Sequence, residues 1–246
     1  MVATAVRYPI AICVSKDGDA RHLGHLDFAR LIERSLRRSG LPVMNSQGFN
    51  PRPRVSFTDA LPVGVASEGE WITLLLNEDL SQETVRDRLE PALPECARLV
   101  GVRKGPAPSA GRHAYRLEVD SESGSASDAL TALLTLDSFP VEDVRRKTPT
   151  DARAMLAGGH VDGDLLFLDL ISVEGRIPRP GPVLSALRAL AREAGAPEPG
   201  FGVVAKLCES ARRQGDDPWD DAVEAVKAAP QGASCSSTPA RARKAG

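Results

Sequence analysis

The sequence predicts an α+β protein of two tandem β-α-β-β-α-β units with antiparallel sheets, followed by a disordered C-terminal tail. Three observations point there. Short, β-branched apolar runs are interleaved with segments whose apolar residues recur every three or four positions. The same order of elements is read twice along the chain. Between the two readings lies KGPAPSAGR, a stretch rich in proline, glycine and alanine, as linkers are. The divisions that follow are a first unit over 1–104, a linker over 105–112, a second unit over 113–209 and a tail over 210–246.

In the first unit, Tyr8 to Val14 reads as a strand ending in the turn signal Lys16-Asp17-Gly18-Asp19. From His25 to Ser39 the apolar positions Leu26, Ala29, Ile32 and Leu36 predict a helix, and Gly40 stops it. Leu41 to Asn45 reads as a short second strand. The segment Gly48-Phe49-Asn50-Pro51-Arg52-Pro53 is an extended, stiff loop, because two prolines remove amide donors and restrict the residues before them. With a strand beginning near Pro53, alternation turns Arg52, Arg54 and Ser56 outward and Val55 and Phe57 inward. Trp71 to Leu76 reads as a strand buried on both faces, Ser81 to Leu93 as a helix capped by Ser81, and Cys96 to Val102 as the closing strand. With the two middle strands paired as a hairpin, this order is ferredoxin-like.

The second unit repeats it: Ala114 to Val119 strand, Ser127 to Leu136 helix, Val141 to Arg146 and Asp164 to Val173 strands, Pro182 to Ala194 helix, Gly202 to Leu207 strand. Pro182 suits a first helical turn and Gly195 the residue past a helix end. Two similar sandwiches packed side by side are expected. A Gly-x-x-Pro-Arg-Pro string occurs at Gly48 and again at Gly175, but at different topological positions, and in a chain of 19 prolines this is coincidence. Beyond Ser210 large apolar residues thin out, and Gln214 to Gly246 is expected to be mostly disordered, with a short helix around Trp219.

Apolar content of 42% and charged content of 26% are those of a soluble globular protein. No apolar run approaches the length of a membrane span, and the N-terminus lacks the pattern of a secretory signal, so a cytoplasmic protein is expected. The cysteines at 13, 96, 208 and 235 are too scattered for a zinc knuckle or a clustered iron-sulfur motif, and no metal is expected in this chain. Cys13 and Cys96 read as small buried apolar residues in strands.

Charge is concentrated. Arg21 to Phe57 holds seven arginines against Asp27 and Glu33, a local formal charge of +5 in a chain that is −2 overall. Such asymmetry indicates an anionic partner. Arg30, Arg34, Arg37 and Arg38 recur at helical spacing and share one side. His22 and His25, three residues apart, are the candidates for proton transfer, with Asp27 beside them. As metal ligands with Asp19 or Asp27 they give only a weak signal, since such groupings recur often without metal. Ser67, Glu68 and Glu70 precede the buried strand, where a carboxylate either orders arginines or faces a ligand. No nucleophile elbow, phosphate loop, dinucleotide fingerprint or HExxH is present.

The strings Gly24-His25-Leu26-Asp27, Glu33 through Pro42, Ser46-Gln47-Gly48-Phe49-Asn50-Pro51-Arg52-Pro53, and Leu61-Pro62-Val63-Gly64-Val65 with Ser67 and Glu70 resemble the bacterial radical-SAM-linked family of unknown function, DUF2344. The resemblance is dense over the first hundred residues and looser past the linker. It departs at Gly24, where a serine is expected, and at Arg52, where histidine or lysine is usual. The resemblance implies partnership with a radical SAM enzyme, whose iron-sulfur cluster and S-adenosylmethionine belong to that partner, because this chain lacks a Cys-x-x-x-Cys-x-x-Cys triplet. The expected function is a non-catalytic accessory module binding an anionic substrate, RNA, through Arg21, His25, Arg30, Arg34, Arg37, Arg38, Ser46, Gln47, Gly48, Phe49, Asn50, Arg52, Arg54, Ser67 and Glu70. The alternatives are a stand-alone RNA-processing enzyme using His22 and His25, and a protein-binding scaffold whose arginines grip acids on a partner.

Overall fold

The computed structural model describes residues 7–207, apart from 59, 109–110, 121–122, 143–148, 174 and 176. The expected tail, 210–246, lies outside the described residues, as does most of the strand read at Val141 to Arg146.

The first half runs β1 (Tyr8–Lys16), a short 3-10 turn (Gly18–His22), α1 (His25–Ser39), β2 (Val55–Phe57), β3 (Ala66–Leu76), α2 (Gln82–Leu89) and β4 (Leu99–Lys104). The helix predicted from periodicity has the predicted bounds, and Gly40 ends it in the left-handed conformation, φ 63°. Its inward face differs from the prediction. Phe28, Leu31, Ile32 and Leu36 are buried with Ser35, whereas Leu26 is 70% exposed. Leu41 to Asn45 forms no strand, only bridges from Val43 to Leu76 and from Asn45 to Pro53. Ser81 caps α2, its Oγ accepting from the Thr84 amide at 3.1 Å. The helix read as continuous to Leu93 instead passes into a 3-10 turn at Glu90–Ala92, where Pro91 has no amide to donate. Cys96 is half-buried in the turn before β4, and Cys13 is buried in β1.

The second half runs β5 (Arg112–Val119), α3 (Ser123–Thr135), β6 (Pro140–Val141), β7 (Thr150–Asp151), α4 (Ala152–Met155), β8 (Leu156–Asp162), β9 (Leu165–Ile171), α5 (Pro180–Glu193) and β10 (Phe201–Leu207). The elements β7, α4 and β8 were not predicted. Strand β8 falls in a stretch given no element from sequence, and Gly159 is there because a Cβ would come within 2.7 Å of the Phe167 carbonyl oxygen on β9. Residue Asp151 caps α4, its Oδ1 accepting from the amides of Phe139, Arg153 and Ala154, and its Oδ2 from Ser138 Oγ at 2.6 Å.

The two sandwiches expected side by side share one sheet. Its order is β4-β1-β3-β10-β5-β9-β8, with β2 also on β3, and every pairing is antiparallel except β3 with β10. The cause is the length of β3. It starts five residues before the predicted Trp71, while β2 covers only Ile72 to Leu74. That leaves Ala66 and Ser67 with a free edge, which Ala205 and Lys206 of β10 fill.

Two apolar cores lie under the helices. One joins Ile10, Ile12 and Val14 of β1 to Phe28, Ile32 and Leu36 of α1 and Val85 and Leu89 of α2. The other joins Leu166, Leu168 and Leu170 of β9 to Leu130 and Leu133 of α3 and Val183 and Leu187 of α5. On the opposite side of β1 and β3, Ala11, Cys13 and Trp71 form a small third cluster against Val100 and Ala107. The Ala107 amide donates to Thr73 Oγ1 at 2.9 Å, so the start of the linker is fastened to the sheet. Among the described residues no helix is long and apolar enough to cross a membrane.

Candidate functional site

Helix α1 buries its apolar stripe in the first core, and this alone turns Arg30, Arg34, Arg37 and Arg38 to solvent. The four are not equivalent. Arg38 donates to the Ala92 carbonyl at 2.7 Å and to Ser35 Oγ at 3.2 Å, which ties α1 to the end of α2. Arg30 pairs with Asp27 at 3.1 Å. Arg34 and Arg37 stand exposed with no hydrogen bond or ion pair among the described residues.

The loop after α1 is held at its base. The Ser46 amide donates to the Arg52 carbonyl at 2.8 Å, the Arg52 amide to Ser46 Oγ at 3.0 Å, and the Arg54 amide to the Met44 carbonyl at 2.7 Å. Gly48, at φ 141°, takes a backbone conformation that side chains disfavour. Gln47, Gly48, Phe49 and Asn50 are all exposed, and Phe49 shows its whole ring, at 106% relative exposure. Arg52 and Arg54 face out while Pro53 is buried and Val55 and Phe57 are half-buried, the predicted alternation.

The head of α1 is a second locus. The Arg21 Nε donates to His22 Nε2 at 3.1 Å, and the Gly64 amide donates to the Arg21 carbonyl at 2.8 Å, pinning the loop around Leu61 to Val65 beside the helix start. His25 sets its ring edgewise on Phe57, centroids 5.2 Å apart. Among the described residues His22, His25 and Asp27 do not assemble into a three-ligand group able to hold a metal.

Beneath this head lies a buried polar row that the sequence reading did not find. Register places Lys16 of β1 opposite Ser67 of β3, Ser67 opposite Lys206 of β10, and Lys206 opposite Tyr115 of β5. Ser67 Oγ donates to Glu70 Oε1 at 2.6 Å, and Lys206 Nζ approaches the same oxygen at 3.2 Å. Both Ser67 and Glu70, predicted as ligand contacts, are buried here rather than on the arginine face. Tyr115 Oη donates to the Pro178 carbonyl at 3.0 Å, in the loop before α5. Lys16 is 1% exposed, its Nζ 5.9 Å from the Phe28 ring centroid and without a hydrogen-bond partner among the described residues. Burial pushes its ammonium pKa down, and the nearby Glu70 carboxylate opposes the shift. From sequence, Lys16 reads as part of a turn. Its position two residues beyond Val14, in phase with Ile10 and Ile12, is the one signal that it continues the inward face of β1.

The predicted residues therefore fall into separate groups. Arg21, His22, His25 and Asp27 lie at the start of α1 and Ser67 and Glu70 are buried in β3, while Arg34, Arg37, Arg52, Arg54 and the Ser46 to Asn50 loop are displayed outward farther along.

These features define an α+β protein whose positive charge is displayed on one helix and the loop after it. The chain belongs to the family described as "uncharacterized protein conserved in bacteria", DUF2344, whose model matches residues 10–176, from β1 past the end of β9. The match thus extends well past the first hundred residues, where the resemblance is densest in the sequence. No curated protein matches the chain.

Proposed function

We propose that this protein is a non-catalytic accessory module that binds an anionic substrate, RNA, and presents it to a separate radical SAM enzyme. One observation carries the reading: Phe49, wholly exposed on a closed loop, is flanked by the outward Arg52 and Arg54 and joined in sequence to a helix displaying Arg34 and Arg37, none of the four side chains being paired among the described residues. A bare aromatic ring among free guanidinium groups suits a single-stranded nucleic acid, with phosphates on the arginines and a base stacked on the ring. The first half has strand order β4-β1-β3-β2 and the second β10-β5-β9-β8. This supports describing each as a ferredoxin-like unit, an architecture common among RNA-binding modules. The cluster and S-adenosylmethionine belong in this reading to the partner enzyme.

The test is fluorescence anisotropy with a single-stranded RNA, titrated from about 50 to about 200 mM salt. Four phosphate contacts predict a slope of log affinity against log salt near −3, at about −0.7 per contact for single strands. Charge reversal at Arg34, Arg37 and Arg52 is expected to flatten that slope. Phe49→Ala is expected to weaken binding by about 1 to 3 kcal/mol with the slope kept. Binding that ignores both salt and these substitutions would sink the proposal. Co-purification of the tagged chain from its native cells tests the enzyme partner separately.

A further inference from the structure

We infer that the arginine face of α1 has an occupant within this chain: the acidic segment Asp216 to Val226, which lies outside the described residues, docks there and competes with the anionic substrate. The competition rests on the RNA reading above, and the docking does not.

The face is more than a row of charges. Leu26, Arg30, Arg34 and Arg37 follow one another at intervals of four, four and three residues, which sets them in one stripe along the solvent side of α1. Arg34 and Arg37 have no partner among the described residues, and Leu26 is 70% exposed at the head of the stripe. An amphipathic peptide covers the leucine together with the arginines, which a phosphate chain does not. The segment has the matching composition. Asp216, Asp217, Asp220, Asp221 and Glu224 give it a formal charge of −5 with no base among them, while the rest of the chain after Leu207 holds only one other acid, Glu209. The acids are thus gathered rather than spread, and they equal the +5 of Arg21 to Phe57. Trp219, Val223 and Val226 recur at helical spacing, so that in a helix they share one face flanked by carboxylates. Carboxylates meet guanidinium groups in two-pronged pairs, and Trp219 brings an apolar ring for Leu26.

Position and length allow the contact. Lys206 of β10 pairs with Ser67 at the start of β3, and Ser67 with Lys16 at the end of β1, so the chain leaves the sheet at the end where α1 begins. Gly64, just before β3, is bonded there to Arg21, just before α1. Nine residues lead from Leu207 to Asp216, a reach of about 30 Å when extended, against about 22 Å for the whole length of α1. A segment tethered so closely acts at an effective concentration on the order of millimolar, and a contact too weak to join two molecules still holds it.

The experiment follows the full chain by fluorine NMR with 5-fluorotryptophan at both tryptophans, Trp219→Phe assigning the two resonances. The Trp219 resonance is expected to shift when Arg34→Glu and Arg37→Glu are combined, toward the position it takes at about 1 M salt, where exposed charges are screened. The resonance of buried Trp71 should stay in place and so report an intact fold. Adding Asp220→Arg and Asp221→Arg to the same chain is expected to bring the Trp219 resonance back, because the charges are then complementary again. A Trp219 resonance indifferent to both salt and Arg34→Glu with Arg37→Glu overturns the inference. One that moves on dilution overturns it in favour of docking on a second copy. Single-stranded RNA is then titrated into the native chain and into a chain carrying Asp220→Asn, Asp221→Asn and Glu224→Gln. If the segment is docked about nine-tenths of the time, its release tightens RNA binding about tenfold. Equal RNA affinity in the two chains overturns the competition whatever the resonance does. If neither chain binds RNA, the RNA reading fails and the fluorine signal alone decides the docking.

Discussion

At the scale of single residues, Lys16 is the most informative group in the molecule. A lysine after a strand is ordinarily read as solvent-facing, and this one was read into a turn. The strand pairing and burial that make it unusual come from β3 and α1, which local sequence cannot convey. Because burial holds its pKa below the ordinary value, the folded chain binds fewer protons than the unfolded chain between those two values. Stability therefore rises with pH through that window, and the full penalty is present below it. In phosphate-free buffer, Lys16→Met is expected to raise the urea midpoint near neutral pH. The advantage should shrink as pH climbs toward the ordinary lysine value of about 10.4. Urea unfolding from about pH 7 to about pH 10 reads this directly, and an advantage independent of pH would assign the effect to packing alone. By contrast, Arg52 and Arg54 were legible, since alternation about buried Pro53 and half-buried Val55 depends only on neighbours in the chain.

At the scale of elements, legibility followed how much each segment decides for itself. Helix α1 has fifteen residues, four buried apolar positions on one stripe and a glycine stop, and its bounds were read correctly. Strand β8 owes its state to β9: Gly159 is demanded by close approach to the Phe167 carbonyl, and that same glycine makes the segment look like a loop. The four-residue α4 is too short to carry a periodic pattern and depends on its cap. The two caps allow a graded test. Ser81→Ala removes one bond to the Thr84 amide and is expected to cost about 1 kcal/mol. Asp151→Ala strips acceptors from three amides and a hydroxyl that hold α4 to the segment before β6, and is expected to cost about 2 kcal/mol. Denaturant midpoints of the two variants check the ordering, and equal losses would contradict it.

At the scale of the whole molecule, the mixed α+β character is legible in the sequence, but the continuity of the sheet is not. Two copies of one plan suggested two separate sheets, whereas a long β3 and a short β2 leave an edge that only β10 fills. The seam is reinforced by Lys206 on Glu70 and by Arg116 of β5 reaching Glu68 at 3.6 Å. The two halves are accordingly expected to unfold together. With Trp219 replaced by phenylalanine, Trp71 emission reports the first half alone, and its thermal transition should coincide with that seen by far-ultraviolet circular dichroism. Two separated transitions would mean that the seam does not couple the cores.

The seam also imposes an order on the making of the protein. Ribosomes deliver Glu70 long before Lys206, and everything from β4 to β10 must emerge in between. During that interval the nascent first half holds a carboxylate whose ion-pair partner, Lys206, has not yet been translated, beside an unpaired stretch of β3 open to strangers. The first half is thus provisional on the ribosome, and it becomes permanent only when the last strand of the sheet slides in beside Ala66 and Ser67.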